Sequence, residues 1–316
     1  MKRRKKRRSA ESRGTRLSLI LLVACITGLI ALWLIPEGGR QDGAPPPPTS
    51  KEHAGTAPNA APDRTGAAPA AGKGVGAKRV AIVIDDIGYD PDALQRLLAI
   101  EAPLAFSVLP HAPHARPSAD AIHRAGREVL LHLPMEPHGW PERDPGRGAL
   151  FASMTAREIR RTLLEDLQAV PHAKGVNNHM GSRFMEEREQ LRVVFGLLRD
   201  RGLYFVDSRT TEASVARELA AEQDLRFAER DLFLDEAEDR GRAAAHLEKL
   251  LDPRDARSGL LLIGHPYPET VSALEEAIPR LSAAGIRFVP LSELVDGRQA
   301  PRGAGTHRNP DRNRKP

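Results

Sequence analysis

Two adjacent carboxylates, Asp85 and Asp86, stand directly after an uninterrupted apolar run at residues 80–84. Such a run, rich in β-branched residues and without polar alternation, is typical of a strand covered on both faces of a parallel sheet. Ligands and catalytic groups in these folds gather beyond the carboxyl ends of the strands. One of the pair could instead cap the next helix, but Asp90 and Pro91 already supply a helix start. The sequence therefore favours a functional role for the pair.

Polar side chains also follow the other predicted strands. His132 and His179 stand out because each follows an apolar strand core and has a neighbour able to ligate or orient it, although a hydrogen-bonded histidine at the core's edge is the plain alternative. His111 and His114 lie in a proline-interrupted loop and fit ordinary surface histidines. Among the other polar residues at strand exits, the candidates are Glu136, Asn178, Arg183, Asp207, Arg209 and His265. A loop that only connects elements does not need His, Asp or Arg at each exit, so these residues indicate one functional face.

The elements that would position these residues alternate regularly. Predicted strands cover residues 80–84, 104–109, 128–133, 175–178, 203–207, 225–227, 260–263 and 287–289, and predicted helices cover residues 91–100, 117–125, 155–170, 186–201, 211–220, 235–251 and 269–284. Thr155 and Glu158 fit a capping box at one helix start. This order of strands and helices predicts one α/β barrel or a related parallel-sheet domain over residues 78–298.

The N-terminal region has the pattern of a membrane anchor. Residues 1–16 are strongly basic, and residues 17–35 follow without a charge. At 1.5 Å per residue this run would span roughly 28 Å, close to the hydrocarbon thickness of a bilayer. The positive-inside rule then predicts a single-pass inner-membrane protein with a cytoplasmic N-terminus and its domain in the periplasm or extracytoplasmic space.

Two other interpretations of residues 17–35 stay open. A cleaved signal peptide would need a small-residue site after a shorter apolar core, and the sequence that follows lacks one. Cys25 ends a lipoprotein-like motif, although the ten residues after it remain apolar. The Pro-, Ala- and Gly-rich residues 36–77 predict a linker, and the basic residues 299–316 predict a disordered tail.

Charge and cysteine content exclude several functions. Segments 1–77 and 299–316 carry net charges of +8 and +4, so the chain's total of +5 leaves −7 for residues 78–298. An acidic domain gives no electrostatic reason to expect nucleic acid binding. Since Cys25 is the only cysteine, the metal ligands of any site in the domain would be His, Asp or Glu. The sequence leaves the oligomeric state open.

The strand-end motifs, taken together and in this order, resemble the divergent polysaccharide deacetylase family, a distant branch of the NodB-like carbohydrate esterases. The motifs are Ile84-Asp85-Asp86-Ile87-Gly88, Ser107-Val108-Leu109-Pro110, Leu131-His132-Leu133-Pro134-Met135-Glu136-Pro137, Asn177-Asn178-His179-Met180-Gly181-Ser182 and Gly264-His265-Pro266. The resemblance implies a distorted (β/α)7-type barrel of the NodB-like kind. It also implies a divalent metal, usually Zn²⁺, at the strand ends.

The resemblance also implies roles for individual residues. Asp85 corresponds to the catalytic base, Asp86 and His132 to metal ligands, and His265 to the acid that protonates the leaving group. In the classical NodB-like enzymes a second histidine follows four residues after the first, and Glu136 stands at that position here. The more economical ligand set is therefore Asp86, His132 and His179, with Glu136 as an alternative.

Four further residues, Asn178, Arg183, Asp207 and Arg209, are additional candidates, and the two arginines could orient Asp85 or bind an anionic group. The implied activity is removal of N-acetyl groups from an amino-sugar polymer, such as peptidoglycan. The departure at Glu136 leaves an alternative, namely an inactive binding or scaffolding module that keeps the fold.

Overall fold

The structure, a computed structural model, describes residues 78–235, 241–255 and 257–298. The expected membrane segment, linker and basic tail lie outside these residues. Within the described part of the chain, no helix combines the length and apolar character needed to cross a membrane.

The described strands form one sheet in which every pairing is parallel. They are β1 (Arg79–Ile87), β2 (Ala105–Val108), β3 (Glu128–Met135), β4 (Ala173–Met180), β5 (Tyr204–Asp207), β6 (Phe227–Glu229), β7 (Leu232–Phe233), β8 (Leu260–Gly264) and β9 (Arg287–Phe288). Their order is β6-β5-β4-β3-β2-β1-β8-β7, and β9 pairs with the start of β1. β6 and β7 end this path, so the described sheet is an open half-barrel of parallel strands.

Helices connect the strands as parallel pairing requires. They are α1 (Pro91–Ala99), α2 (Ala115–Arg124), α3 (Ala156–Ala169), α4 (Arg188–Asp200), α5 (Ala216–Glu222), α6 (Arg242–Glu248), α7 (Pro268–Ala283) and α8 (Leu291–Arg298), with 3₁₀ turns at Phe184–Glu186 and Lys249–Leu251. Asp90 accepts two backbone hydrogen bonds at the start of α1, and Thr155 and Glu158 form the predicted capping box of α3.

The parallel α/β class is confirmed, and each predicted strand overlaps an observed one. β7 and α8 were not predicted, because a two-residue strand and a short C-terminal helix carry little periodic signal. The predicted helix at residues 211–220 is wrong at its start, since α5 begins at Ala216. Polar side chains hold the preceding loop: Ser214 donates to Asp207 and Thr211 donates to Glu186.

The two faces of the sheet bury different sets of side chains. On β1, Val80, Ile82 and Ile84 belong to the large cluster that packs under the helices, whereas Ala81 and Val83 belong to a smaller cluster on the opposite face. Leu291, Leu294 and Val295 of α8 also belong to the smaller cluster. We call this second face the inner face. The strict two-residue alternation sends the next odd-numbered residue of β1, Asp85, to the inner face.

Candidate active site

A polar layer lies on the inner face directly beyond the apolar one. Each of its members comes two residues after an apolar inner-face residue of its strand: Asp85 after Val83, Ser107 after Ala105, His132 after Leu130, Ser208 after Val206 and His265 after Ile263. Asn177 of β4 lies opposite His132 of β3 in the register of the sheet. The carboxyl ends of six strands thus supply one polar site.

Asp86, His132 and His179 bring three potential ligand atoms together. Asp86 Oδ1 lies 3.2 Å from His132 Nε2 and 3.1 Å from His179 Nδ1, and the two imidazole nitrogens are 3.2 Å apart. The register between β1 and β2 shifts between Ile84 and Ile87, and Asp86 has φ +55°. This bulge turns the second carboxylate toward the same side as the first, where regular alternation would have sent it to the helix-covered face.

The three atoms fit a divalent cation with tetrahedral preference. Zinc bonds of about 2.0–2.1 Å place neighbouring tetrahedral ligand atoms about 3.3–3.4 Å apart, close to the edges of this triangle. Asp86 Oδ1 is buried and has no hydrogen-bond partner among the described residues. A bound cation would give this oxygen a partner. Two imidazoles and one carboxylate form a donor set that zinc accepts and that leaves a position open for water or substrate.

Asn177 holds both His132 and Asp85. His132 Nδ1 donates to Asn177 Oδ1 over 2.9 Å, so that Nε2 is directed into the triangle. The Asn177 amide in turn donates to Asp85 Oδ1 over 2.8 Å and to Ser208 Oγ over 3.3 Å. The Ser107 hydroxyl also donates to Asn177 Oδ1. One buried amide therefore fixes the orientation of a candidate ligand and of a candidate base.

Burial and charge tune the acidic pair differently. Burial raises the pKa of Asp85 above its ordinary value, against the opposing attraction of His132 and His265. Burial also acts to raise the pKa of Asp86, but contacts with His132 and His179 outweigh it and hold the pKa well below the ordinary range. Asp85 is thus suited to accept a proton, whereas Asp86 stays ionised.

His265 lies next to the triangle, near Asp86. Its Nδ1 is 2.7 Å from Asp235 Oδ1, and its Nε2 is 3.9 Å from Asp86 Oδ2. Asp235 is buried and also accepts hydrogen bonds from the His265 backbone and the Thr270 hydroxyl. Burial alone would lower the pKa of His265, but the Asp235 hydrogen bond and the charges of Asp85 and Asp86 raise it to about 9. His265 can therefore hold a proton at neutral pH.

Several residues predicted from the sequence lie elsewhere. Glu136 accepts a hydrogen bond from the Ala152 backbone over 2.6 Å and is not in the triangle. Asn178 points to the opposite face from Asn177, where it donates to the Met180 carbonyl and accepts from the Ser208 backbone. These contacts organise loops and leave the cleft to other residues.

The suggestion that an arginine orients Asp85 does not match the structure. Arg183 pairs with Glu187 over 2.6 Å, and Arg209 pairs with Glu212 over 2.7 Å. Asp207 accepts hydrogen bonds from the Arg209 backbone and the Ser214 hydroxyl and so fixes the loop after β5. Asp85 is held instead by the Asn177 amide.

Asn177, Ser107, Ser208 and Asp235 are site residues that the sequence interpretation missed. For Ser107 and Ser208 a signal existed, because counting two residues onward from the apolar inner-face residues Ala105 and Val206 selects them. Asn177 also shares its strand face with His179, two residues on. Asp235 carried no comparable signal, since it follows the two-residue strand β7 and had been assigned to a helix.

A cleft of about 320 Å³ opens beside the triangle. Its lining includes Asp86, Tyr89, His111 and His179, together with the loop that contains Gly146 and Arg147. Tyr89 is 63% exposed, unusual for an aromatic side chain, and can offer its ring to a ligand. The cleft suffices for a group the size of one sugar ring.

The described residues thus form a parallel α/β half-barrel with a triangle of one Asp and two His residues at its strand ends, flanked by a further Asp and a further His. Residues 82–295 match the family described as divergent polysaccharide deacetylase. The chain belongs to this family, which confirms the resemblance seen in its motifs.

Two curated bacterial relatives and one solved structure show the same similarity. The chain is 33% identical over 220 residues to the uncharacterized protein YibQ of Escherichia coli K12, covering 70% of this chain and 68% of that protein. It is 30% identical over 212 residues to an uncharacterized Haemophilus influenzae protein, covering 67% and 72% of the two chains. The crystal structure of the uncharacterized protein ATU2773 from Agrobacterium tumefaciens C58 superposes with a TM-score of 0.63 at 24% identity, covering 70% of this chain and 90% of that one. At 24% identity, the similarity to ATU2773 shows a shared fold and nothing beyond it.

Proposed function

We propose that this protein is a metal-dependent hydrolase that removes N-acetyl groups from an amino-sugar polymer of the cell envelope, such as peptidoglycan. The observation that carries the proposal is the triangle of Asp86, His132 and His179, with Asp85 and His265 at its borders and an open cleft beside it. Family membership supports the same class of reaction.

Asp86 Oδ1, His132 Nε2 and His179 Nδ1 would hold the ion, with zinc the metal that best suits this donor set. When bound, such an ion lowers the pKa of a water ligand toward about 7 and polarises an acetamide carbonyl. The chain's own residues supply the remaining chemistry.

Asp85 is the proposed general base. Its Oδ2 lies 3.7 Å from His132 Nε2, at the edge of the triangle, and its Oδ1 is fixed by Asn177. The free edge of the carboxylate can therefore take a proton from a water that attacks the carbonyl carbon. The raised pKa of Asp85 favours this transfer, because a base works best when its pKa approaches the working pH.

His265 is the proposed general acid. Asp235 fixes its Nδ1, which leaves Nε2 directed toward Asp86. As the carbon–nitrogen bond breaks, the departing amine needs a proton, and the imidazolium can supply it. Asp235 stabilises that charged form before transfer.

The proposed location follows from the N-terminal sequence. Residues 17–35 would anchor the chain in the inner membrane, and residues 36–77 would hold the domain on the periplasmic or extracytoplasmic side. The polymer would then enter the cleft from the envelope, with Tyr89 as a platform for a sugar ring.

The test compares the wild type with Asp85→Asn on chitooligosaccharides and peptidoglycan fragments. Zinc content of both proteins is measured alongside acetate release. We expect both to retain zinc and the variant to release acetate at least about 10²-fold more slowly, the usual share of a general base. If zinc binds but the wild type releases no more acetate than the variant, the hydrolase proposal fails and a binding module becomes the better description.

A further inference from the structure

We infer that His111, held in place by Asp166, positions the substrate. Its imidazole would hydrogen-bond a hydroxyl group of the amino sugar whose acetamide group lies at the triangle. The inference rests on the proposed function and deepens it by assigning the sugar-binding wall of the cleft. It also revises the expectation that His111 is an ordinary surface histidine.

The carboxyl group of Asp166 lies in an apolar environment. It lies on the buried face of α3 with Ile159 and Leu163, and its side chain is fully buried. Its Oδ1 is 2.9 Å from His111 Nε2, while its Oδ2 is buried without a hydrogen-bond partner among the described residues. A carboxyl group in such surroundings destabilises the fold relative to an apolar residue, so its placement points to a role beyond packing.

The loop opposite is shaped around this pair. Gly148 has φ +85°, and a Cβ there would lie 2.5 Å from Asp166 Oδ1 and 2.8 Å from His111 Cδ2. Only glycine therefore permits this close approach. The neighbouring residues Gly146 and Arg147 line the cleft, so the loop closes over the pair and confines the imidazole ring.

One ring nitrogen of His111 remains for a ligand. Nε2 is occupied by Asp166, and Nδ1 has no partner among the residues that the structure describes. The side chain is 24% exposed and lines the same cleft as Asp86 and His179. This arrangement resembles His265 and Asp235, where a buried acid also fixes one ring nitrogen and directs the other toward Asp86.

The chemistry of Nδ1 selects a hydroxyl group as its partner. Nδ1 is an acceptor if the ring proton is on Nε2 and a donor if the proton is on Nδ1. A sugar hydroxyl can both donate and accept, so it satisfies either tautomer. Since the ring lies in the cleft and not in the triangle, its contribution is to position the sugar ring.

The experiment measures binding and turnover in His111→Ala, Asp166→Ala and the double variant. Binding of a chitooligosaccharide is measured with zinc-loaded protein carrying Asp85→Asn, so that no turnover intervenes. Turnover is measured with variants that retain Asp85. The substrates are the same oligosaccharide and a small aryl acetate that has no ring hydroxyl. Zinc content and thermal unfolding are recorded for every variant.

We expect each single variant to raise the Kd and KM for the oligosaccharide by about 10-fold, the range of one buried hydrogen bond. The double variant should be no worse than either single one, because Asp166 acts through His111. Turnover of the aryl acetate and zinc content should stay within about 2-fold. Asp166→Ala removes a carboxyl group that is costly to bury but also leaves His111 Nε2 without its partner, so thermal unfolding serves only to establish that each variant is folded.

Three results would overturn the inference. Unchanged oligosaccharide binding in both single variants, with acetate release by the wild type intact, refutes it while the proposed function stands. Equal losses on the aryl acetate would show a general effect on the triangle. Absence of both oligosaccharide binding and acetate release in the wild type would refute the proposed function and the inference with it.

Discussion

Removing the amide of Asn177 should weaken metal binding without touching a metal ligand. In Asn177→Ala, His132 Nδ1 loses its acceptor at 2.9 Å and Asp85 Oδ1 loses its donor at 2.8 Å. Loss of such an orienting contact typically lowers metal affinity by about 10–100-fold, or about 1.4–2.7 kcal/mol. We therefore expect the Kd for zinc to rise by that factor, measured by competition with a coloured chelator.

The matched control is the next residue on the same strand. Asn178 is the same residue type and equally buried, but its amide contacts the Met180 carbonyl and the Ser208 backbone on the other face of the sheet. Asn178→Ala should leave the Kd for zinc within about 3-fold.

Both substitutions leave buried polar groups without partners, at about 1–3 kcal/mol each. In a domain of this size each kcal/mol lowers Tm by about 2–4 °C, so both metal-free variants should melt earlier. Stability alone therefore does not distinguish the two. If Asn178→Ala weakens zinc binding as much as Asn177→Ala, or if Asn177→Ala leaves it unchanged, the assignment of the amide to the site is refuted.

Two further predictions concern the ligand set and the second histidine–acid pair. His179→Ala should abolish zinc retention through dialysis, whereas Glu136→Ala should spare it, because Glu136 is occupied by the Ala152 backbone; the reverse result would exchange their roles. Burial raises the pKa of Asp166 to about 8, so the folded state keeps a proton that the unfolded state has lost. Metal-free wild type should therefore lose about 1 kcal/mol more stability than Asp166→Asn between pH 7 and pH 8. This range lies above the titration of His111, and the loss that His265 causes there is common to both proteins. Parallel pH profiles in urea unfolding would contradict this.

The parts of the site that the sequence predicted are those encoded along a single strand. The apolar run before Asp85 marks a buried strand, and the carboxyl ends of parallel strands converge, so the neighbourhood of Asp85, Asp86 and His132 followed from local pattern. The divergence at Glu136 also pointed to His179 as a substitute ligand, and the structure brings His179 to the triangle.

The parts that were missed depend on which face of a strand a residue occupies or on pairing between distant segments. Asn177 and Asn178 are chemically identical, and only the register of β4 against β3 decides which one meets His132. Arg183 and Arg209 have long side chains that can form ion pairs with several carboxylates. The sequence alone does not show which carboxylate lies nearest to each. Asp235 contacts His265 because β7 pairs with β8. A strand of two residues has no sequence pattern from which this pairing could be predicted.

The position of β1 in the sheet has a consequence for the order in which the site forms during synthesis. All three proposed ligands lie on strands β1, β3 and β4, which leave the ribosome early, whereas His265 directly follows β8. β1 gains its neighbour β8 only when that later segment arrives. A nascent chain therefore contains all three proposed metal ligands before it contains the proposed proton donor, so that, if the protein binds a metal, capture of the ion can precede the pairing of β1 with β8.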